Sequence, residues 1–319
     1  MTTASAPTRA ARADLERRVR ARAPKLTTAD EAIAAVRDGD HVAIGGTLYS
    51  RTPMALVFAL VRSGRRALTV SRPLTCYEGE LLLVEGQAKR VVTSWMGIGL
   101  PWGLSPVLRH YAEAGLAEYE EWSHLAIGLG YKAAAMGVPF LPTYTMLGSD
   151  LARSRGLAAL SCPYTGERLA AVPALCPDVA LLHAHRADVY GNVQIDGYLH
   201  MDVDMARAAR TVIVSAEEIV DEAAIRADPA ATILPHFAVD AVVEAPFGAY
   251  PHECYGRYEA DTEHFDAYVS AQRAGGLDAV HAYVDANIRR VGDFQGFLDR
   301  VGTARLARQA RRATALVSR

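Results

Sequence analysis

Residues 41–53 read HVAIGGTLYSRTP, and the fold follows from how they are parsed. The apolar run His41 to Ile44 meets two glycines and a polar turn, and Pro53 sits where a helix can begin. That order predicts strand, turn, helix. Backbone N–H groups left near such a helix start suit anionic or carbonyl oxygens. Upstream, Thr28 and Glu31 have capping-box spacing, and Ile33 and Val36 give a short amphipathic helix that stops at Asp38-Gly39-Asp40. Downstream, apolar residues run through Leu60 until Gly64. The alternation continues, with strand signals over 67–70 and 90–93 and helical ones over 80–84 and 105–115. It predicts an α/β protein built on a largely parallel, doubly wound sheet.

Between Val138 and Pro173 the texture changes to proline, serine and threonine, which predicts loops and short antiparallel strands over one end of the sheet. Strand signals return over 179–183, 193–195, 211–215 and 239–244, and helical patterns dominate from His264. With no internal repeat and no linker, residues 25–319 read as one domain behind a flexible, arginine-rich tail, 1–24. The chain has 319 residues, half of them apolar, and a formal charge of −2. That balance gives no global pull toward nucleic acid or an anionic membrane. Four cysteines, at 76, 162, 176 and 254, form no CxxC pair, so they read as reduced thiols in a cytoplasmic protein. No apolar run approaches the ~20 residues of a membrane span.

Several chemistries can be tested against spacing. GGTLYS, MGIGLPWG and IGLGYK all fail the dinucleotide fingerprint, and no Walker sequence exists. His183 and His185 lack a third ligand at sensible spacing, so no metal is expected, and no GxSxG elbow supports a serine nucleophile. Asp188 to Asn192 reads as a tight hairpin turn. Gly97 and Gly99 follow a strand and can form a second backbone-lined turn facing Gly45-Gly46.

Read together, DGDHVAIGG with Arg51-Thr52-Pro53, MGVPFLPTYTMLGSDL, VPALCPDVALLHAHRADVYGNVQIDG, TVIVSAEEIVD, VDAVVEAPFGAYPHECYG and GTARL form a more specific pattern. In that order, over about residues 25–306, the chain resembles the α subunit of family I CoA-transferases, of the glutaconate CoA-transferase type. The resemblance implies a CoA-transferase-like fold and CoA exchange between an acyl-CoA and a free carboxylic acid. Exchange would pass through a glutamyl-CoA thioester on a separate β subunit, in a hetero-oligomer of αβ pairs. It implies no permanently bound cofactor, coenzyme A entering only as acyl-CoA substrate, and no catalytic nucleophile in this chain. Glu78 and Glu85, on a helical stretch, read as surface residues.

On the same footing, Gly45, Gly46, Thr47, Ser50 and Arg51 are expected to form the wall that holds the acyl or carboxylate group, with Arg51 alternatively pairing across the subunit interface. Ser71, Gly97 and Gly99 belong to two further loops bordering that site. Those loops, SRPLTCY (71–77) and GIGLPWG (97–103), depart from the glycine- and alanine-rich and more polar segments of glutaconate-type relatives. Pro73, Leu100 and Trp102 imply a bulkier, drier acyl site. The same scaffold carries relatives that hydrolyse carbon–carbon bonds in steroid-derived ring CoA esters and others that decarboxylate glutaconyl-type CoA esters. A ligand-sensing domain of related fold is disfavoured by the lack of a helix-turn-helix segment.

Overall fold

A computed structural model describes residues 13, 16, 17 and 21–317. Most of the expected tail, 1–24, lies outside the described residues. A ten-stranded sheet organises the chain. Its strands are β1 (Leu26–Thr27), β2 (His41–Ile44), β3 (Leu68–Ser71), β4 (Ala88–Thr93), β5 (Glu118–Glu121), β6 (Val179–Asp188), β7 (Val193–Gln194), β8 (Thr211–Val220), β9 (Thr232–Leu234) and β10 (Ala241–Glu244). Their spatial order is β1-β10-β8-β6-β2-β3-β4-β5, with β7 and β9 branching from β6. Every pair on the main path is parallel, and only β7 and β9 pair antiparallel.

The order carries the functional consequence. From β2 the chain winds outward through β3, β4 and β5, then returns to place β6 on the other side of β2 and winds the opposite way. The junction of β2 and β6 is therefore the topological switch point, and in open α/β sheets ligands bind outside the strand C-termini there. The turn after Ile44 stands at that position.

Strand alternation feeds two cores. Val42, Ile44, Val179 and Leu181 face one, and Ala43, Ala180, Leu182 and Ala184 face the other. The first is covered by α1 (Ala29–Ile33), α2 (Met54–Ser63), α3 (Tyr77–Val84), α4 (Pro106–Glu113) and later the long α7 (Thr262–Val284). The second lies under α5 (His124–Ala135) and α6 (Asp202–Ala208). α1 has the full capping box, with Thr28 and Glu31 satisfying each other's backbone N–H groups. α2 starts after Pro53 and ends at Gly64 in the left-handed conformation, as its sequence predicts. Over 140–173, three short strands form the expected separate antiparallel sheet.

Two elements escape the sequence pattern. α5 contains Gly128 and Gly130, which weaken a helical signal. A side chain at Gly128 would come within 2.9 Å of Met201 and one at Gly130 within 3.3 Å of the Pro173 carbonyl, so close packing explains both glycines. β5 is the charged segment EYEE, which reads as loop but suits an edge strand. Helix α3 also corrects an expectation. Glu78, Glu80 and Glu85 are buried, because α3 lies between the sheet and α4 and α7. Glu78 pairs with Arg72 at 2.6 Å, Glu85 pairs with Arg289, and Glu80 takes bonds from Ser105, Tyr268 and Gln272. Among the described residues no helix is long and apolar enough to cross a membrane.

Candidate active site

The turn after β2 is held from below. Gly46 has φ +68°, and a Cβ there would sit 2.2 Å from the Ser50 carbonyl oxygen, so only glycine fits. Gly45 is pressed equally hard against Leu182. Their amides are not free. Gly45 N–H donates to the Leu181 carbonyl at 2.8 Å and Gly46 N–H to Asp202 Oδ1 at 2.8 Å. Thr47 N–H reaches the Ser50 carbonyl at 3.0 Å. The expectation that these glycines present open backbone donors is therefore corrected: close approach is their role, and the amides are consumed in closing the turn.

Arg51 is corrected in the same way. Its side chain is 1% exposed and lies under the turn, pairing with the fully buried Asp202 at 2.7 Å and donating to the carbonyls of His183 and Tyr198. It sets the shape of the turn from inside. Ser71 is also internal, bonded to His41 Nε2 at 2.6 Å and to the Tyr131 hydroxyl at 2.7 Å. Only Thr47 to Ser50 come toward the surface. Substituting Gly46 by alanine is expected to open this turn and abolish measurable turnover of an assembled enzyme. The Gly46 and Arg51 amides would lose hydrogen-exchange protection, and wild-type protection in the variant would contradict the assignment.

The second glycine loop does meet the first. The Tyr49 ring lies against Gly99, where an added Cβ would fall 1.3 Å from the phenol oxygen. Tyr49 also makes an edge contact with Trp102, and the Trp102 indole N–H donates to Asp266 at 2.7 Å. Leu100, at the loop tip, is 79% exposed. Gly97 is buried between Trp95 and the Gly103 carbonyl and turns the chain without facing outward.

A third segment, 247–258, meets the turn. Glu217, on β8, accepts from Phe247 N–H at 2.8 Å, Gly248 N–H at 3.2 Å, His183 Nε2 at 2.7 Å and the Tyr258 hydroxyl. That fastens the segment to the sheet. Arg51 N–H then donates to the Glu253 carbonyl and Glu253 N–H to the Tyr49 carbonyl, a parallel bridge between Ser50 and Glu253. His183, Glu217 and Cys254 bring ligand atoms within 4.8 Å of one another. These groups are engaged in fastening, as is His185, whose Nε2 faces the Tyr255 carbonyl at 2.8 Å. His200 Nε2 meets Ser50 Oγ at 3.1 Å, and burial with the nearby Arg51 pushes the imidazole down to about 4.

His252, beneath Tyr49, is fully buried among Tyr49, Tyr77 and Phe265, and neither ring nitrogen has a hydrogen-bond partner among the described residues. Burial, with Arg72 and His264 nearby, lowers its pKa well below the ordinary 6.5. The unfolded chain then binds a proton that the folded chain refuses, so stability falls as pH drops below the ordinary imidazole value. His252→Phe is expected to be more stable than wild type at pH 5 by a larger margin than at pH 8. Equal margins in thermal melts at the two pH values would contradict it.

Asp202, Glu217, Glu253, His200 and Tyr49 are not singled out by sequence. Asp202 meets Arg51 from 151 residues away, with no local spacing to reveal it. Glu217 and Glu253 stand in stretches that carry the family resemblance, which by itself gives them no role.

A sequence model of the family "Coenzyme A transferase" matches residues 26–245. The chain belongs to this family. The A-type subunit of glutaconate CoA-transferase from Acidaminococcus fermentans is 33% identical over 300 residues, covering 88% of this chain and 93% of its own. The crystal structure of that enzyme superposes with a TM-score of 0.84 over 89% of this chain and 94% of the matched one. The A-type subunit of 3-oxoadipate CoA-transferase from Pseudomonas knackmussii is 35% identical over 279 residues, 86% of this chain and 96% of its own. An uncharacterized protein of Archaeoglobus fulgidus is 36% identical over 299 residues, of which this chain covers 66%. This CoA-transferase family chain therefore carries its candidate site where the fold places ligands, at the β2/β6 switch point.

Proposed function

We propose that this chain is the α-type subunit of a CoA-transferase and acts with a separate β subunit that supplies a nucleophilic glutamate. CoA would move from an acyl-CoA to a free carboxylic acid through a glutamyl-CoA thioester on that partner. The observation that supports this best is the set of segments held in fixed geometry at the switch point. The turn of Thr47 to Ser50, the loop of Gly99 to Trp102 and the segment around Glu253 are fixed in shape, whereas Glu78, Glu80 and Glu85 are buried in bonds of their own. A carboxylate attacking a thioester develops an oxyanion, and one preorganised donor is typically worth about 3 kcal/mol. Thr47 and Ser50 are hydroxyl-bearing residues of the turn, and Thr47 Oγ1 is buried with no hydrogen-bond partner among the described residues.

The test is to co-purify the chain with its β partner and incubate the complex with an acyl-CoA and a carboxylic acid. Appearance of the new acyl-CoA is expected. Free thiol without transfer would identify a CoA-ester hydrolase, and carbon dioxide release a decarboxylase, either of which would overturn the proposal.

A further inference from the structure

Charges around the turn do not balance. Four arginines stand at this end of the sheet, and each is already paired: Arg51 with Asp202 at 2.7 Å, Arg72 with Glu78 at 2.6 Å, Arg186 with Asp196 at 2.6 Å and Arg257 with Glu218 at 3.1 Å. His200 adds no charge at neutral pH, because burial and Arg51 keep it unprotonated. Glu253 has no ion pair among the described residues. It is half-buried, and Ser50 faces it across a backbone bridge and pulls its carboxyl down against the rise that burial causes.

Its direction follows from backbone pairing. Residues facing each other across a bridge project to the same side. Thr47 bridges Ser50, and Ser50 bridges Glu253, so the three side chains share one face of the turn. His200 reaches Ser50 Oγ on that face. Burial pushes the Glu253 carboxyl up and Glu259 adds to the push, while Ser50 and Arg51 pull the other way. Leu100, Tyr198, Leu199 and Tyr255 are exposed apolar or aromatic side chains of the neighbouring segments.

We propose that Glu253, which shares one face of the turn with Ser50, is a specificity residue that turns away acyl groups bearing a second carboxylate and leaves monocarboxylic acids with an uncharged far end as substrates. This rests on the reading of the turn as the acyl wall. A second carboxylate entering here meets Glu253, while Arg51, Arg72, Arg186 and Arg257 are each already paired. The departure from dicarboxylate handling is then electrostatic, beyond the bulk of Leu100 and Trp102.

The experiment compares pentanoyl-CoA with glutaryl-CoA, which differ only in a terminal methyl or carboxylate. Each is given to the co-purified complex, wild type or Glu253→Gln, after gel filtration shows that the variant assembles. With acetate present as acceptor, disappearance of the supplied acyl-CoA itself is followed by chromatography, because it registers CoA passing to that acid as a new thioester or being released by water. A preference of about tenfold or more in kcat/KM for pentanoyl-CoA is expected in wild type, from like-charge repulsion across a half-buried site. The ratio should narrow by about tenfold in Glu253→Gln, chiefly through a lower KM for glutaryl-CoA. A wild-type preference for glutaryl-CoA, or a ratio unmoved by the substitution, overturns this inference while leaving the transferase reading standing. Discrimination without transfer to any acid overturns that reading and leaves the inference standing. A complex inert to both esters overturns the two together.

Discussion

Asp202→Ala is expected to lower the unfolding free energy by about 3–5 kcal/mol, the cost of leaving one partner of a buried ion pair uncompensated. Asp202 does two jobs at once: Oδ1 holds the Gly46 amide and Oδ2 holds Arg51. Without it the Arg51 guanidinium keeps only the His183 and Tyr198 carbonyls, in a site with almost no water contact. Arg51→Ala should fail in step, leaving the Asp202 carboxylate buried. Pairing Arg51→Met with Asp202→Leu should recover part of the loss, since replacing both charges removes the stranded ion. Urea unfolding of the four proteins reads this directly. A single variant within about 1 kcal/mol of wild type would mean that the pair is not what shapes the turn. Arg51→Ala with unchanged steady-state constants in the complex would separate Arg51 from function altogether.

The second large effect is expected at Glu217. Its two oxygens take four donors, two of them backbone amides of the segment that carries Glu253. In Glu217→Ala, His183 and Tyr258, both buried, lose their acceptor, and each stranded polar group costs about 1–3 kcal/mol. The segment should also shift relative to the turn. Displacements on the order of 1 Å cost about a hundredfold in rate where catalytic geometry is shared between segments. Glu217→Gln offers one acceptor oxygen in place of two, so its amide group must face either Phe247 N–H or the other donors. It should fall between wild type and alanine. Hydrogen exchange at Phe247 is the readout that a general loss of stability would not mimic, since Gly248 N–H keeps the Ala245 carbonyl at 2.8 Å. Unchanged protection of the Phe247 amide in Glu217→Ala would refute the fastening role.

Much of the architecture is legible in the sequence because local signals agree with the global fold. HVAIGG followed by Pro53 specifies strand, turn and helix, and Thr28 with Glu31 specifies a helix start. Long-range economy is illegible. Gly45-Gly46 carries the composition of an anion cradle, yet its amides go to Leu181 and to Asp202, a residue 156 positions from Gly46 in sequence. Arg51 has the look of a ligand-binding cation for the same reason, since nothing in SRTP announces a buried partner on α6. Glu78 and Glu85 look superficial because charge ordinarily marks a solvated face, while here Arg72 and Arg289 draw them inside. The family resemblance rests on whole stretches such as AEEIVD and PHECYG and gives their individual residues no role. The structure supplies the reason: Glu217 fastens the segment and Glu253 faces the turn.

The division of labour between chains is tested most directly by trapping. The co-purified complex is incubated with an acyl-CoA, reduced with borohydride and digested, and the modified glutamate is located by mass spectrometry. The expected product is a glutamate reduced to its alcohol on the β chain, dependent on acyl-CoA, with Glu78, Glu80, Glu85 and Glu253 of this chain unmodified. Reduction at any glutamate of this chain, or steady transfer with no trapped residue on the partner, would contradict that division.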